Sequence, residues 1–238
     1  MSELTAEPLS EDALLLRFDD SIDPEVNARV HAAAARLRAA HLPGMVDIAP
    51  SYAGLLLRFD PLAWEDALAD ESAHARLLAS VETILRDPCT TARFPQTRVV
   101  EIPVCYSSEF GPDLDEAARQ AQLSARDFIA RHTAADYSVA MVGFAPGFPY
   151  LLGLDPILHV PRRATPRTRV PAGSVAIGGA QTGIYPRELP GGWRIIGRTP
   201  LRLFDPQRDP PCLLAPGDRV RFRAIDADEF SARVSHPA

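Results

Sequence analysis

Between Gly143 and Gly217 the chain carries 13 of its 23 prolines and 11 of its 14 glycines. Proline removes a backbone donor and glycine adds backbone entropy, so no long helix survives at that density. The segment is therefore expected to form loops and short strands. Its densest parts are GFAPGFPYLLGLD (143–155), PRRATPR (161–167), VPAGSV (170–175), GGAQTGIYP (178–186) and PGGWRIIGRT (190–199). Loops held by a rigid scaffold are where binding and catalysis concentrate.

Charge singles out the same region. From Pro161 to Arg208 there are nine arginines, at 162, 163, 167, 169, 187, 194, 198, 202 and 208, against Glu188 and Asp205. That local balance of +7 stands in a chain whose total is −6. Guanidinium groups suit carboxylates and phosphates through paired hydrogen bonds, so an anionic ligand is expected, with solvated arginines on a strand face as the alternative. Arg162, Arg163 and Arg167 lie between prolines and are the arginines most expected to act.

All 25 basic residues are arginine, and the chain contains no lysine. A Walker A loop, a lysine Schiff base, a pyridoxal phosphate anchor and a biotinyl-lysine are thereby excluded within this chain. Cys89, Cys105 and Cys212 are odd in number and widely spaced, which reads as reduced thiols. The six histidines (31, 41, 74, 132, 159, 236) show no ligand spacing, so no metal site is expected. No apolar run approaches the roughly 20 residues of a membrane helix. The acidic start MSELTAEPLSEDA lacks a signal-peptide pattern, and a cytoplasmic protein is expected. The arginines lack interleaved aromatic nucleic-acid motifs, so no nucleic acid is expected.

Residues 1–95 hold eight arginines and sixteen acids, a net of −8, leaving +2 for residues 96–238. A domain boundary is placed there. Ala13 to Phe18 reads as a strand, and Asp23-Pro24 opens a helix with Val26, Val30, Ala33, Ala34 and Leu37 on one face, stopped at Pro43-Gly44. Met45 to Ala49 and Gly54 to Phe59 read as a hairpin around Pro50-Ser51-Tyr52. Glu71 to Arg86 reads as a second helix with Leu77, Leu78, Val81, Ile84 and Leu85 inward, and Val99 to Val104 as a possible closing strand. That order, βαββα plus a strand, suggests a small ferredoxin-like sandwich.

Residues 111–132 read as two short helices, the first capped by Asp113, taken as a helix cap rather than a general base, and the second opening in a capping box at Ser124. Val139 to Val142, Ile195 to Ile196, Leu201 to Phe204 and DRVRFRA (218–224) read as strands. Many short strands among loops imply a β-barrel, and the fold class is α+β. Phe144, Phe148, Tyr150 and Trp193 are expected to pack the loops, and Gly191-Gly192 to make a tight hairpin. The sequence leaves the isomers at Pro146 and Pro149 open. No Ser-His-Asp set can be assembled from spacing, and no nucleophile is assigned.

EIPV, GPDL, GFAPGFPYL, PRRATPR, VPAGSVAIGG, QTGIYP and PGGWRIIGRTP together resemble the carboxyltransferase C/D-type family, also called the allophanate hydrolase subunit 1 family. They span most of residues 101–224. Its members include the B subunit of bacterial 5-oxoprolinase and the sporulation-kinase inhibitor KipI. The resemblance implies an N-terminal α+β domain (1–95) and a cyclophilin-like β-barrel (96–238). It also implies a sister carboxyltransferase-type barrel, like the C-type subunit of 5-oxoprolinase, that completes the site. For the oxoprolinase branch it implies ATP-dependent opening of 5-oxo-L-proline to L-glutamate with a lactam-opening A-type subunit, the chain being inactive alone. ATP, with or without Mg2+, is the expected cofactor, at a site that partner subunits share. Inhibition of a sensor histidine kinase and a part in urea or allophanate metabolism are the alternatives.

On that reading Arg162, Arg163 and Arg167 face phosphate or a substrate carboxylate. Gly173, Ser174, Gly178 and Gly179 give close backbone approach, though the glycines could equally be turns. Gln181, Thr182 and Tyr185 offer side-chain hydrogen bonds. Phe144, Pro146, Gly147, Phe148, Tyr150, Gly191, Gly192 and Trp193 shape the loops.

Overall fold

The structure, a computed structural model, describes residues 4–65, 70–86 and 98–235. Cys89 and His236 lie outside the described residues. The chain divides into two compact units, Met1–Gln96 and Thr97–Ala238.

In the first unit β1 (Thr5–Ser10) and β2 (Ala13–Arg17) form a hairpin, followed by helix α1 (Pro24–Ala40). A second hairpin, β3 (Met45–Pro50) and β4 (Gly54–Phe59), is followed by helix α2 (Ala73–Arg86). The sheet is antiparallel in the order β1-β2-β4-β3. α1 starts where sequence says it should, because the Asp23 carboxylate accepts the free N–H groups of Glu25 and Val26 and Pro24 has no N–H to lose. Val26, Val30, Ala33, Ala34 and Leu37 recur at helical spacing and are buried against Leu14, Leu16, Leu55, Leu57 and Phe59 of the sheet. In α2, Leu77 and Val81 are fully buried and Leu78, Ile84 and Leu85 flank them.

The strand order corrects the ferredoxin-like expectation. β2-α1-β3 with β4 between the two strands is a split βαβ unit. The strand beside β2 is nevertheless β1, from the N-terminal hairpin. Val99–Val104 does not close this sheet; it belongs to the second unit. β1 escapes periodicity because five of its six residues are exposed, and its Pro8 is tolerated on an edge strand that need not donate every N–H.

The second unit contains, in order, β5 (Val99–Cys105), α3 (Leu114–Gln120), α4 (Ala125–Ala134), β6 (Tyr137–Val142), β7 (Pro149–Leu152), β8 (Arg167–Val170), β9 (Ser174–Gly178), β10 (Gln181–Ile184), β11 (Leu189–Gly191), β12 (Arg194–Arg198), β13 (Arg219–Ile225) and α5 (Ala227–Ser235). Seven strands close a barrel in the order β10-β7-β6-β13-β5-β12-β9, and β8 with β11 forms a separate two-stranded ribbon. β5 runs parallel to β13 along its whole length, Val99 opposite Arg219 through Cys105 opposite Ile225. Each strand sends alternate side chains inward. In β13 Val220 and Phe222 point into the core, while Arg219, Arg221 and Arg223 face outward to Asp136, Glu101 and Glu229. Ile102, Val104, Val139, Leu151, Val175, Ile177, Ile184 and Ile196 complete the interior, shared with Leu114, Ala117 and Phe128 of α3 and α4.

Two local expectations change, and one open point closes. Leu201–Phe204, bracketed by Pro200 and Pro206, forms no strand and keeps only a bridge from Phe204 to Cys212. Gly191-Gly192 is not a hairpin, because Gly191 ends a strand of the ribbon while β12 starts in the barrel. The cis peptide among the described residues is Asp209–Pro210, and Pro146 and Pro149 follow trans bonds. Ser124 does cap α4, accepting from the Asp127 N–H while donating to its carboxylate.

Candidate functional site

On the outer surface of the barrel, Ala176 of β9 and Ile195 of β12 begin a second apolar cluster with Ala145, Phe148, Val170, Tyr185 and Trp193. The aromatic rings meet mostly edge to face. Phe148 lies 4.9 Å from Tyr150, 5.1 Å from Tyr185 and 5.8 Å from Trp193 between ring centroids, and Tyr150 lies 5.9 Å from Trp193. Such pairs fix ring orientation as well as burying area. Gly178 makes room for the indole: a Cβ there would stand 2.6 Å from Trp193, closer than atoms pack. Gly191 likewise lets the Tyr185 hydroxyl press against the ribbon backbone. Phe148, Tyr150 and Trp193 thus pack against one another, whereas Phe144 is exposed.

Phe144 is 63% exposed and holds a left-handed φ of 68°. The Ala145 N–H donates to the Gly143 carbonyl at 2.8 Å, so Phe144 occupies the centre of a γ-turn, a strained conformation for a bulky residue. The Gly143 N–H to Phe148 carbonyl and Phe148 N–H to Ala145 carbonyl bonds hold that turn, with Pro146 and Gly147 inside it. Its ring stands edge-on to Phe148 at 5.6 Å.

The arginine loop is wired to a residue fifty positions upstream. Asp113, 2% exposed, accepts Arg163 Nη1 at 3.0 Å and both terminal nitrogens of Arg167 at 2.7 and 2.9 Å. It also accepts the Ile195 N–H at 2.8 Å. Asp113 occupies the N-cap position of α3, yet its carboxylate makes no capping bond, so its expected role as a side-chain cap is replaced by this clamp. Burial alone would raise its pKa; the Arg167 and Ile195 hydrogen bonds and the Arg163 charge outweigh that and hold it below the ordinary carboxylate value.

Most of the other arginines are also partnered within the chain, three by carboxylates and two by backbone carbonyls. Arg169 pairs with Glu188, Arg194 with Glu116 and Arg202 with Asp205. Arg198 donates to the Ala172 carbonyl, and Arg208 to several carbonyls around Pro210. Among the described residues, Arg162 and Arg187 are the two arginines of the 161–208 stretch without a carboxylate or carbonyl partner. Arg162 stands over Trp193, its guanidinium carbon 5.7 Å from the ring centroid. Burial raises the Tyr150 and Tyr185 phenols above their ordinary pKa, and the nearby Arg162 charge partly offsets both rises.

The structure therefore brings together Arg162, Trp193, Tyr150, Phe148 and Tyr185, with Gly178 beneath. Arg163 and Arg167, expected at a ligand, turn inward to Asp113, and the Gly192 carbonyl accepts the Arg163 N–H at 2.7 Å. Thr182 is fully buried and donates its hydroxyl to the Ala176 carbonyl. Ser174 is buried within the barrel wall, and Gly173 donates to the Tyr185 carbonyl while accepting from Thr199. Gly179 is a left-handed turn with open space beside it, and Gln181 is half-buried opposite Gly178. Sequence reasoning misassigned Asp113. The available signal was the local excess of nine arginines over two acids, which makes a carboxylate from elsewhere in the chain a candidate partner.

Among the described residues no group of three or more His, Cys, Asp or Glu could hold a metal, and no helix is long and apolar enough to cross a membrane. Cys105 and Cys212 are free thiols, the first buried.

The carboxyltransferase domain, subdomain C and D, family model matches residues 4–214. The chain belongs to this family. It is 42% identical to the B subunit of 5-oxoprolinase from Bacillus subtilis over 228 residues, 95% of each chain. It is 56% identical to the B subunit of 5-oxoprolinase from Escherichia coli O157:H7 over 128 residues, 54% of this chain and 59% of that one. The crystal structure of TTHA0988 superposes with a TM-score of 0.76 at 40% identity, covering 90% of this chain. This chain spans 40% of that longer one. The Asp113 clamp and the Arg162 surface are thus built on a fold that this family member shares.

Proposed function

We propose that the chain is the B-type subunit of an ATP-dependent 5-oxoprolinase, converting 5-oxo-L-proline to L-glutamate with a sister barrel subunit and a lactam-opening subunit. The observation that carries this reading is 42% identity along 95% of both chains to a 5-oxoprolinase B subunit. The second such relative, at 56% identity, supports it.

The chemistry needs help from partners. An amide is a poor electrophile, and coupling its opening to ATP calls for activation of the amide oxygen. A triphosphate needs several cationic donors at once. Among the described residues of the 161–208 stretch two arginines, Arg162 and Arg187, are left without a carboxylate or carbonyl partner, and the chain has no lysine, so this stretch does not fit a nucleotide site of its own. On this reading the phosphates rest mainly on a partner subunit, and this chain orients the small substrate. The test is to mix the purified chain with both partners and follow ATP hydrolysis dependent on 5-oxo-L-proline. Turnover that requires every component supports the proposal; none from folded, associating subunits overturns it.

A further inference from the structure

Arg162 differs from its neighbours in having nothing acidic to hold. Its position is nonetheless set from two sides. The next residue is anchored by the Arg163 bonds to Gly192 and Asp113, and Arg162 itself lies over an indole that is 6% exposed. That indole cannot shift, since Gly178, Phe148 and Tyr150 enclose it. A guanidinium over an aromatic face keeps its N–H edge free, and that edge matches a planar carboxylate through two parallel bonds. Tyr150 is half-buried beside it and Tyr185 lies next to both.

We propose that Arg162, Trp193 and Tyr150 form a binding site for a small planar monocarboxylate, and not for nucleotide phosphates. One free guanidinium balances one carboxylate, whereas a polyphosphate would be left undercompensated: Asp113, Glu116, Glu188 and Asp205 hold Arg163, Arg167, Arg194, Arg169 and Arg202, backbone carbonyls hold Arg198 and Arg208, and besides Arg162 that leaves Arg187 among the described residues of the stretch. The enclosed Trp193 seats Arg162, and the half-buried Tyr150 leaves ring edge for a flat group attached to that carboxylate. Naming the acid as 5-oxo-L-proline rests on the proposed function; the preference for a monocarboxylate does not.

The test uses the whole chain with Trp64→Phe, which leaves Trp193 as the sole indole, since the chain has two tryptophans. Trp193 fluorescence is titrated with 5-oxo-L-proline, with pyrrolidin-2-one, which is the same ring without the acid, and with ATP. The expected result is a saturable response to the acid, about ten-fold or more weaker for the neutral lactam, with the difference erased by Arg162→Gln and retained in Arg126→Gln on α4. A response to ATP but not to the acid, no saturable response to the acid, or an acid affinity unchanged in Arg162→Gln overturns the site. In the three-subunit mixture, Arg162→Gln is expected to raise KM for 5-oxo-L-proline about ten-fold while KM for ATP holds. The reverse pattern overturns the site and leaves the subunit reading standing. Absence of turnover with the unaltered chain counts against the subunit reading and leaves the fluorescence result intact.

Discussion

Asp113 is the residue on which the arginine loop depends. Removing one partner from a buried ion pair strands the others without compensation, so Asp113→Ala should lower stability by about 3–5 kcal/mol in denaturant unfolding. A loss within ordinary surface-mutation scatter would contradict the clamp. Because the folded pKa of Asp113 is depressed, its contribution is full above the unfolded value near 3.9 and disappears as pH falls through the folded value. His132 acts in a higher window. It is fully buried, shares a hydrogen bond with Tyr106 at 2.8 Å, stacks on Phe222 and has no partner at Nε2. Burial lowers its pKa from 6.5 to about 3. Between those values the unfolded chain takes up a proton that the fold refuses, so stability falls with decreasing pH by up to about 1.4 kcal/mol per unit. His132→Gln should flatten that slope in unfolding experiments run from pH 7 to pH 4; an unchanged slope would show that another group sets it. Neither role was legible in sequence, where Asp113 looks like a helix cap and His132 like any lone histidine. Partners distant in the chain leave no local pattern.

At the scale of elements, local chemistry was readable wherever periodicity and caps agree. The Asp23-Pro24 start of α1, the Ser124 box of α4 and the alternation in β13 all stand as the sequence implies. What sequence did not carry was pairing. Val99–Cys105 has ordinary strand composition, and its pairing with β13, 120 residues later, and with β12 assigns it to the barrel. β1 was hidden by its exposure, and Leu201–Phe204 looked like a strand because apolar residues occur there for burial of Leu203 without a ladder to join. Gly178 shows how one element position controls the site. Gly178→Ala places a methyl in the Trp193 ring space and should cost about 1–3 kcal/mol, with a shifted Trp193 emission in the Trp64→Phe background. An unaltered spectrum and stability would mean that the indole is not seated as described.

For the whole molecule, the Gly/Pro-rich third does what its composition demands, forming short strands and loops on a closed barrel. The charge in that third proved mostly structural, with Arg162 held over Trp193 and without a carboxylate or carbonyl partner. On the proposed reading such a chain positions a small acid while the phosphates rest mainly on a partner, as one subunit among several. The most direct measurement is the amount of glutamate and of phosphate released from 5-oxo-L-proline and ATP by the complete subunit mixture and by the same mixture without this chain. The account predicts equal amounts of the two products, and neither above background when the chain is omitted. Undiminished glutamate formation without the chain, or ATP hydrolysis with no glutamate in its presence, would contradict it.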